Sequence, residues 1–128
     1  MNKLIFALVI LLLLPSIVYG VSTGNDLENL CIAEKDKTSD KGTKEWLDVS
    51  CMLYIQGTIL GWKAGMIMGG RDDFADGNIG GICISKQSTA NQWSDIVKNY
   101  LRMHPEKLQE PATIVVILAI EEAFPCKG

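Results

Sequence analysis

The chain has 128 residues, with 12 Lys and Arg against 15 Asp and Glu and a net charge of −3. That balance argues against nucleic acid or anionic lipid as a partner, while it is compatible with a cationic protein and equally with plain solubility. The length suits one domain with a modest core, and four cysteines are available to reinforce it.

The first element is an apolar leader. Lys3 gives it a positive start, Leu4 to Val18 form the apolar run, and Val18-Tyr19-Gly20 places short side chains at the cleavage positions. We read residues 1–20 as an export signal cut after Gly20. An uncleaved anchor is the rival reading, because the run approaches the roughly 20 apolar residues that a membrane span needs. Pro15 and the lack of a charged stop-transfer flank favour cleavage. Removing residues 1–20 takes away Lys3 alone among the charged groups, so residues 21–128 are one unit more acidic than the −3 of the whole.

An even cysteine count in a short exported chain reads as a disulfide framework, although four cysteines permit three connectivities. Zinc is disfavoured, since no Cys-x-x-Cys pair occurs and His104 is the single histidine. The spacing offers no catalytic thiol, and no cofactor motif occurs.

Asp26 to Ala33 is expected to form a short helix carrying Leu27, Leu30 and Cys31, followed by a solvated charged loop from Glu34 to Thr43. Lys44 to about Met68 has no internal proline, exceeds strand length and is predicted to be the central helix. Gly57, Gly61, Gly65 and Gly69 recur every four residues on it. Each interior glycine costs about 1 kcal/mol of helix propensity against alanine, so a compensating close approach of backbone is expected. We expect a crowded crossing within the chain; a homodimer contact is the other reading. Trp46, Leu53, Tyr54, Leu60, Trp62 and Ile67 spread around the circumference, which predicts a largely buried helix.

Gly69 to Gly81 reads as an acid-rich loop bearing Asp72, Asp73 and Asp76. A calcium loop fails there, because with Gly77 as the turn glycine the third and twelfth ligand positions are Phe74 and Cys83. Its glycines match no phosphate or dinucleotide motif. The loop is either a plain connection or a recognition loop.

Thr89 and Gln92 have capping-box spacing, and Trp93, Ile96, Val97, Tyr100, Leu101 and His104 share one helical face. Pro105 ends that third helix, leaving His104 as a helix-end or packing residue. Glu106 to Glu110 form a polar turn, and Pro111 to Phe124 is predicted to be a fourth helix rather than a strand, on length and the closing Pro125. The predicted fold is therefore all-α, a small disulfide-stapled bundle of about four helices. If the third and fourth helices form a hairpin, Cys83 approaches Cys126, and Cys31 and Cys51 remain as the other pair.

The order Cys51-x-x-Tyr54-x-x-Gly57-x-x-x-Gly61, then Cys83, then Tyr100-Leu101 with His104-Pro105-Glu106-x-Leu108, then Ala112 and Ala123-Phe124-Pro125-Cys126 resembles the Rap/Tai group of bacterial immunity proteins. The likeness runs from about Leu27 to Cys126; Ser85 departs from it where many relatives carry proline. The resemblance implies a periplasmic, non-catalytic protein that neutralises a peptidoglycan amidase delivered by a type VI secretion system. Those toxins are cysteine hydrolases of papain-like fold, and the immunity protein blocks their cleft.

Beside that resemblance, acidic loop groups are suited to imitate the carboxylates of a wall peptide. The residues expected to bind the effector are Asp72, Asp73 and Asp76 in one loop and Glu106, Lys107, Gln109 and Glu110 in the other. No nucleophile and base are paired, and Glu121 and Glu122 point apart on a helix. The alternatives are a small periplasmic helical chaperone and a membrane-anchored structural subunit.

Overall fold

A computed structural model describes residues 20–70 and 78–126. Helix α1 begins as an α-helix over Gly24–Glu28, widens to π geometry over Asn29–Ala33 and returns to α over Glu34–Lys37. Helix α2 is Lys41–Met68, a short hairpin pairs β1 (Asn78–Ile79) with β2 (Ile82–Cys83), α3 is Ala90–Met103, a 3-10 turn spans Pro105–Lys107, and α4 is Ala112–Ala123. The four-helix, disulfide-stapled architecture is thus the one the sequence predicts.

Local chemistry sets the helix starts. Thr89 and Gln92 form the reciprocal capping box at α3, with the Thr89 amide donating to Gln92 Oε1 at 2.8 Å and the Gln92 amide to Thr89 Oγ1 at 3.3 Å. A second capping box, which the sequence reading passed over, starts α1. Asp26 Oδ2 accepts from Ser22 Oγ at 2.8 Å, from the Thr23 amide at 2.9 Å, and from Thr23 Oγ1 and the Ser22 amide. The Ser22 hydroxyl, then the Thr23 and Ser22 donors, hold the Asp26 carboxyl down at about 2, against an ordinary value of 3.8. The sign follows from a depressed folded pKa: this contribution is complete above pH 3.8 and is lost as pH falls towards 2. Asp26→Asn is expected to flatten the fall of the thermal midpoint in that window; equal slopes for both proteins would refute the assignment.

The charged stretch after Ala33 corrects the expectation of a loop from Glu34 to Thr43. Helix α1 continues to Lys37, and α2 already begins at Lys41, capped by Asp40 accepting from the Thr43 amide at 2.7 Å. The reason is a charge clamp across three helices, in which Asp48 of α2 takes Lys35 of α1 and Lys98 of α3, the latter at 3.3 Å. Burial acting alone would raise Asp48, but hydrogen bonds from both lysines hold its carboxyl below the ordinary range.

The core lies where α1, α2, α3 and α4 meet, with Leu27, Ile55, Ile59, Val97, Leu101, Val115 and Ile120 all within about 1% of full burial. Both predicted disulfides are present: Cys31–Cys51 ties α1 to α2, and Cys83–Cys126 ties the hairpin to the end of the chain beyond α4. Gly80 and Gly81 take positive φ of 58° and 92°, as a two-residue hairpin turn requires. The hairpin is held from the far side by the Cys83 amide donating to the Phe124 carbonyl at 2.9 Å.

Two expectations for the central helix are overturned. Trp46, Leu53, Leu60 and Ile67 are more than half exposed, and only Tyr54 and Trp62 of the six aromatic and aliphatic residues singled out pack against the core. Nor do the glycines mark a crossing within the chain, because a Cβ added at Gly57, Gly61 or Gly65 would meet nothing within 4 Å. An apolar circumference predicts a largely buried helix, whereas only Cys51, Ile55 and Ile59 of α2 are fully buried, with Tyr54 and Trp62 partly covered beside them. No helix among the described residues is long and apolar enough to cross a membrane.

Candidate interaction surface

Of the residues expected to bind the effector, Asp72, Asp73 and Asp76 lie outside the described residues. Glu106, Lys107, Gln109 and Glu110 fall on the 3-10 turn and the bend after it, with Glu106, Gln109 and Glu110 exposed and Lys107 half-buried. This loop is rigidly seated. Its own turns close through the Lys107 amide to the His104 carbonyl at 2.9 Å and the Glu110 amide to the Lys107 carbonyl at 3.0 Å. The start of α1 then holds it, since the Gly24 amide donates to the Glu110 carbonyl at 2.9 Å and the Asn25 amide to the Leu108 carbonyl at 2.8 Å. Those two amides belong to the first turn of a helix, where backbone donors have no partner within the helix. Leu108 packs inward against the core and completes the anchor.

At the loop's α3 end, His104 gathers two carboxylates. Its ring stacks on Tyr100 with centroids 4.2 Å apart, Nδ1 lies 2.9 Å from Glu106 Oε1, and Nε2 lies 3.4 Å from Glu122 Oε2. The hydrogen bond with His104 is the main reason the Glu106 carboxyl sits below its ordinary range. His104 is therefore a packing and orienting residue at a helix end, as the position before Pro105 suggests. Glu122 joins the same cluster, although the sequence reading set it aside with Glu121 as an unpaired neighbour. The available signal was the α3–α4 hairpin itself, which puts the end of α4 beside whatever follows Tyr100 only if the helices are antiparallel and in register.

Glu122 also lines a shallow groove of about 270 Å³ with Asn99, Tyr100, Met103 and Ile96. Ile96 is shared with a larger open groove of about 570 Å³ that runs past Gln92 and Asp95 to Ser85 and Phe124. The two grooves thus adjoin along α3, with Asp95 at one end and the Glu122, His104 and Glu106 cluster at the other. Lys107, Gln109 and Glu110 stand on the loop beyond that cluster and line neither groove.

Chemically the surface is acidic and amphipathic, which suits contact with a basic partner. Cys31, Cys51, Cys83 and Cys126 are all engaged in disulfides. Among the described residues, no group of three or more His, Cys, Asp or Glu side chains is placed to hold a metal ion.

The family model described as Rap1a immunity proteins matches residues 23–126. No curated protein and no solved structure gives a significant match.

Proposed function

We propose a function from one premise: the chain belongs to the Rap1a immunity protein family, whose model covers residues 23–126. Such a protein acts by binding a cognate effector of type VI secretion. In our reading the effector is a peptidoglycan amidase, the encounter takes place in the periplasm after removal of residues 1–20, and inhibition consists of blocking the catalytic cleft. The protein itself transforms nothing. The leader and two disulfides fit an oxidising compartment outside the cytoplasm.

The observation that carries the interface assignment is the pair of carboxylates, Glu106 and Glu122, held against His104 beside the groove that Glu122 lines. Carboxylates at Glu106 and Glu122, fixed by His104, would occupy positions that the acidic stem peptide of the wall takes in the cleft, and the adjoining groove along α3 would supply the apolar contact. Glu110, Gln109 and Lys107 extend that rim, and Asp72, Asp73 and Asp76 are assigned to it on sequence grounds. A standard interface needs about 800 Å² per partner, more than one loop offers, so the loop and groove must act together.

Mixing the exported protein with type VI peptidoglycan amidases is expected to give a stable complex with one of them and to abolish its hydrolysis of wall peptides. Unchanged hydrolysis at saturating protein would reject the reading. Glu106→Lys and Glu122→Lys are each expected to weaken the complex roughly tenfold, about 1.4 kcal/mol, when titrated calorimetrically. Full affinity in the double variant would move the interface elsewhere on the surface.

A further inference from the structure

The larger groove along α3 holds a carboxylate that nothing in the described chain answers. Asp95 is exposed there, and its side chain makes no hydrogen bond or ion pair among the described residues. It stands on the ridge between that groove and a polar recess lined by Lys35, Asp48, Ser94 and Lys98. The two lysines of the recess are committed elsewhere, since both bind Asp48, Lys98 at 3.3 Å.

The other polar groups of the groove are mostly engaged, and their engagement fixes its wall. Ser88 Oγ donates to the Ser85 carbonyl at 2.7 Å and accepts from Trp93 Nε1 at 2.9 Å. Ser85 Oγ accepts from the Gln87 amide at 3.3 Å, and Gln92 Oε1 accepts from the Thr89 amide at 2.8 Å. Phe124, the aromatic residue of the lining, is tied at its carbonyl to the Cys83 amide at 2.9 Å. What remains for a ligand is one carboxylate, the side-chain amide of Gln87, and the apolar surface of Ile96 and Phe124. A wall ordered in advance lowers the entropic cost of binding.

From this arrangement we infer that the groove is a socket for one cationic side chain of a partner protein, an arginine, with Asp95 as the residue that selects it. A guanidinium fork takes a carboxylate through two parallel hydrogen bonds, and its plane stacks on an aromatic ring such as Phe124. The methylene stem suits Ile96, and the remaining N–H groups suit the Gln87 amide oxygen. A lysine ammonium would meet Asp95 as a point charge and use less of the lining. An apolar side chain would cover the carboxylate without pairing it, which is costly. The volume of about 570 Å³ lies within the roughly 300–1,000 Å³ of ligand sites, so the groove admits the arginine together with the backbone that carries it.

The inference rests on the reading of an effector bound along α3 only for the source of the arginine. From Asp95 to His104 the chain advances about 14 Å along the axis of α3, so one interface of standard size spans the socket and the acidic cluster together.

Nα-acetyl-argininamide is the probe, and its citrulline analogue, of the same shape without the charge, is the control. Titration is followed at the Trp93 indole resonance, which borders the groove through Ser88. The arginine probe is expected to saturate with a midpoint on the order of 1 mM. The citrulline probe is expected to give no saturable shift, Asp95→Asn to abolish the response to arginine, and Asp95→Glu to retain part of it. No saturation by the arginine probe, or equal responses to the two probes, overturns the inference. In the inhibitory complex with a type VI amidase, Asp95→Asn is expected to lower affinity about tenfold. A complex indifferent to that change overturns the assignment of the socket to the effector. If no amidase is bound at all, the immunity reading fails, and the two probes alone decide whether the socket exists.

Discussion

Replacing Cys31 and Cys51 together by alanine is expected to lower the unfolding free energy by about 5 kcal/mol, more than the same change at Cys83 and Cys126 even though the latter pair closes the longer loop. The separations are 20 and 43 residues. Loop-closure entropy assigns about 3 kcal/mol to the shorter loop and about 4 kcal/mol to the longer, a difference of roughly 0.7 kcal/mol. Packing reverses the order. Cys31 and Cys51 are 2% and 0% exposed and belong to the core, whereas Cys83 and Cys126 are only partly buried. Each buried sulfur removed leaves a small void worth about 1 kcal/mol, and two of them outweigh the loop difference.

The longer loop also has support of its own. The Cys83 amide bond to the Phe124 carbonyl and the bridge between Ile82 and Pro125 remain when the sulfurs are gone. Urea midpoints of the two double variants decide the matter, and a lower midpoint for Cys83→Ala with Cys126→Ala would show that loop length governs. In both variants the urea slope should rise, because an unbridged unfolded chain exposes more surface. Against a total of about 5–15 kcal/mol for a domain of this size, losing both bridges is expected to leave the protein unfolded.

The sequence made the disulfide pairing legible through topology. Pro105 and the capping box at Thr89 bracket α3, Pro111 and Pro125 bracket α4, and an antiparallel pair of such helices brings Cys83 to Cys126. What could not be read was the exposure of α2. Trp46, Leu53, Leu60 and Ile67 have the composition of a core, and composition does not say whether the covering surface comes from the same chain. The charged stretch around Lys35 failed for the opposite reason, because its helix depends on Asp48 and Lys98, partners distant in sequence. Within the candidate surface, Glu106 is legible as an exposed polar residue beside a proline, while Glu122 requires the register of α3 against α4. The seat of the loop, the packing of Leu108 against Gly24, left no local signature, since a glycine in the first turn of a helix is unremarkable by itself.

That seat gives the second large effect. Gly24→Ala is expected to destabilise the protein by about 2–4 kcal/mol, although alanine is the better helix former by about 1 kcal/mol. A Cβ at this position would lie 2.8 Å from Leu108 Cα and 3.0 Å from the carbonyl oxygens of Leu108 and Lys107. All three are backbone atoms, so no side-chain rotation relieves the contact and the loop from Pro105 to Glu110 must move. Movement separates the Gly24 and Asn25 amides from their carbonyl partners on Glu110 and Leu108, and each buried group left unpaired costs about 1–3 kcal/mol. Those losses exceed the gain in propensity.

Gly42→Ala supplies the comparison within one chain. Gly42 lies in the first turn of α2, and its added Cβ would meet only Asp40 Oδ2, at 3.6 Å, an ordinary contact. That variant is expected to be neutral or stabilised by up to about 1 kcal/mol. Hydrogen exchange should show the loop amides of Lys107 and Glu110 deprotected in Gly24→Ala and unchanged in Gly42→Ala, and effector affinity should fall with the loop, because Glu106 loses its fixed position against His104. A Gly24→Ala protein as stable as its parent, with a protected loop, would mean that α1 and the loop separate without loss, and that the acidic cluster is positioned by α3 and α4 alone.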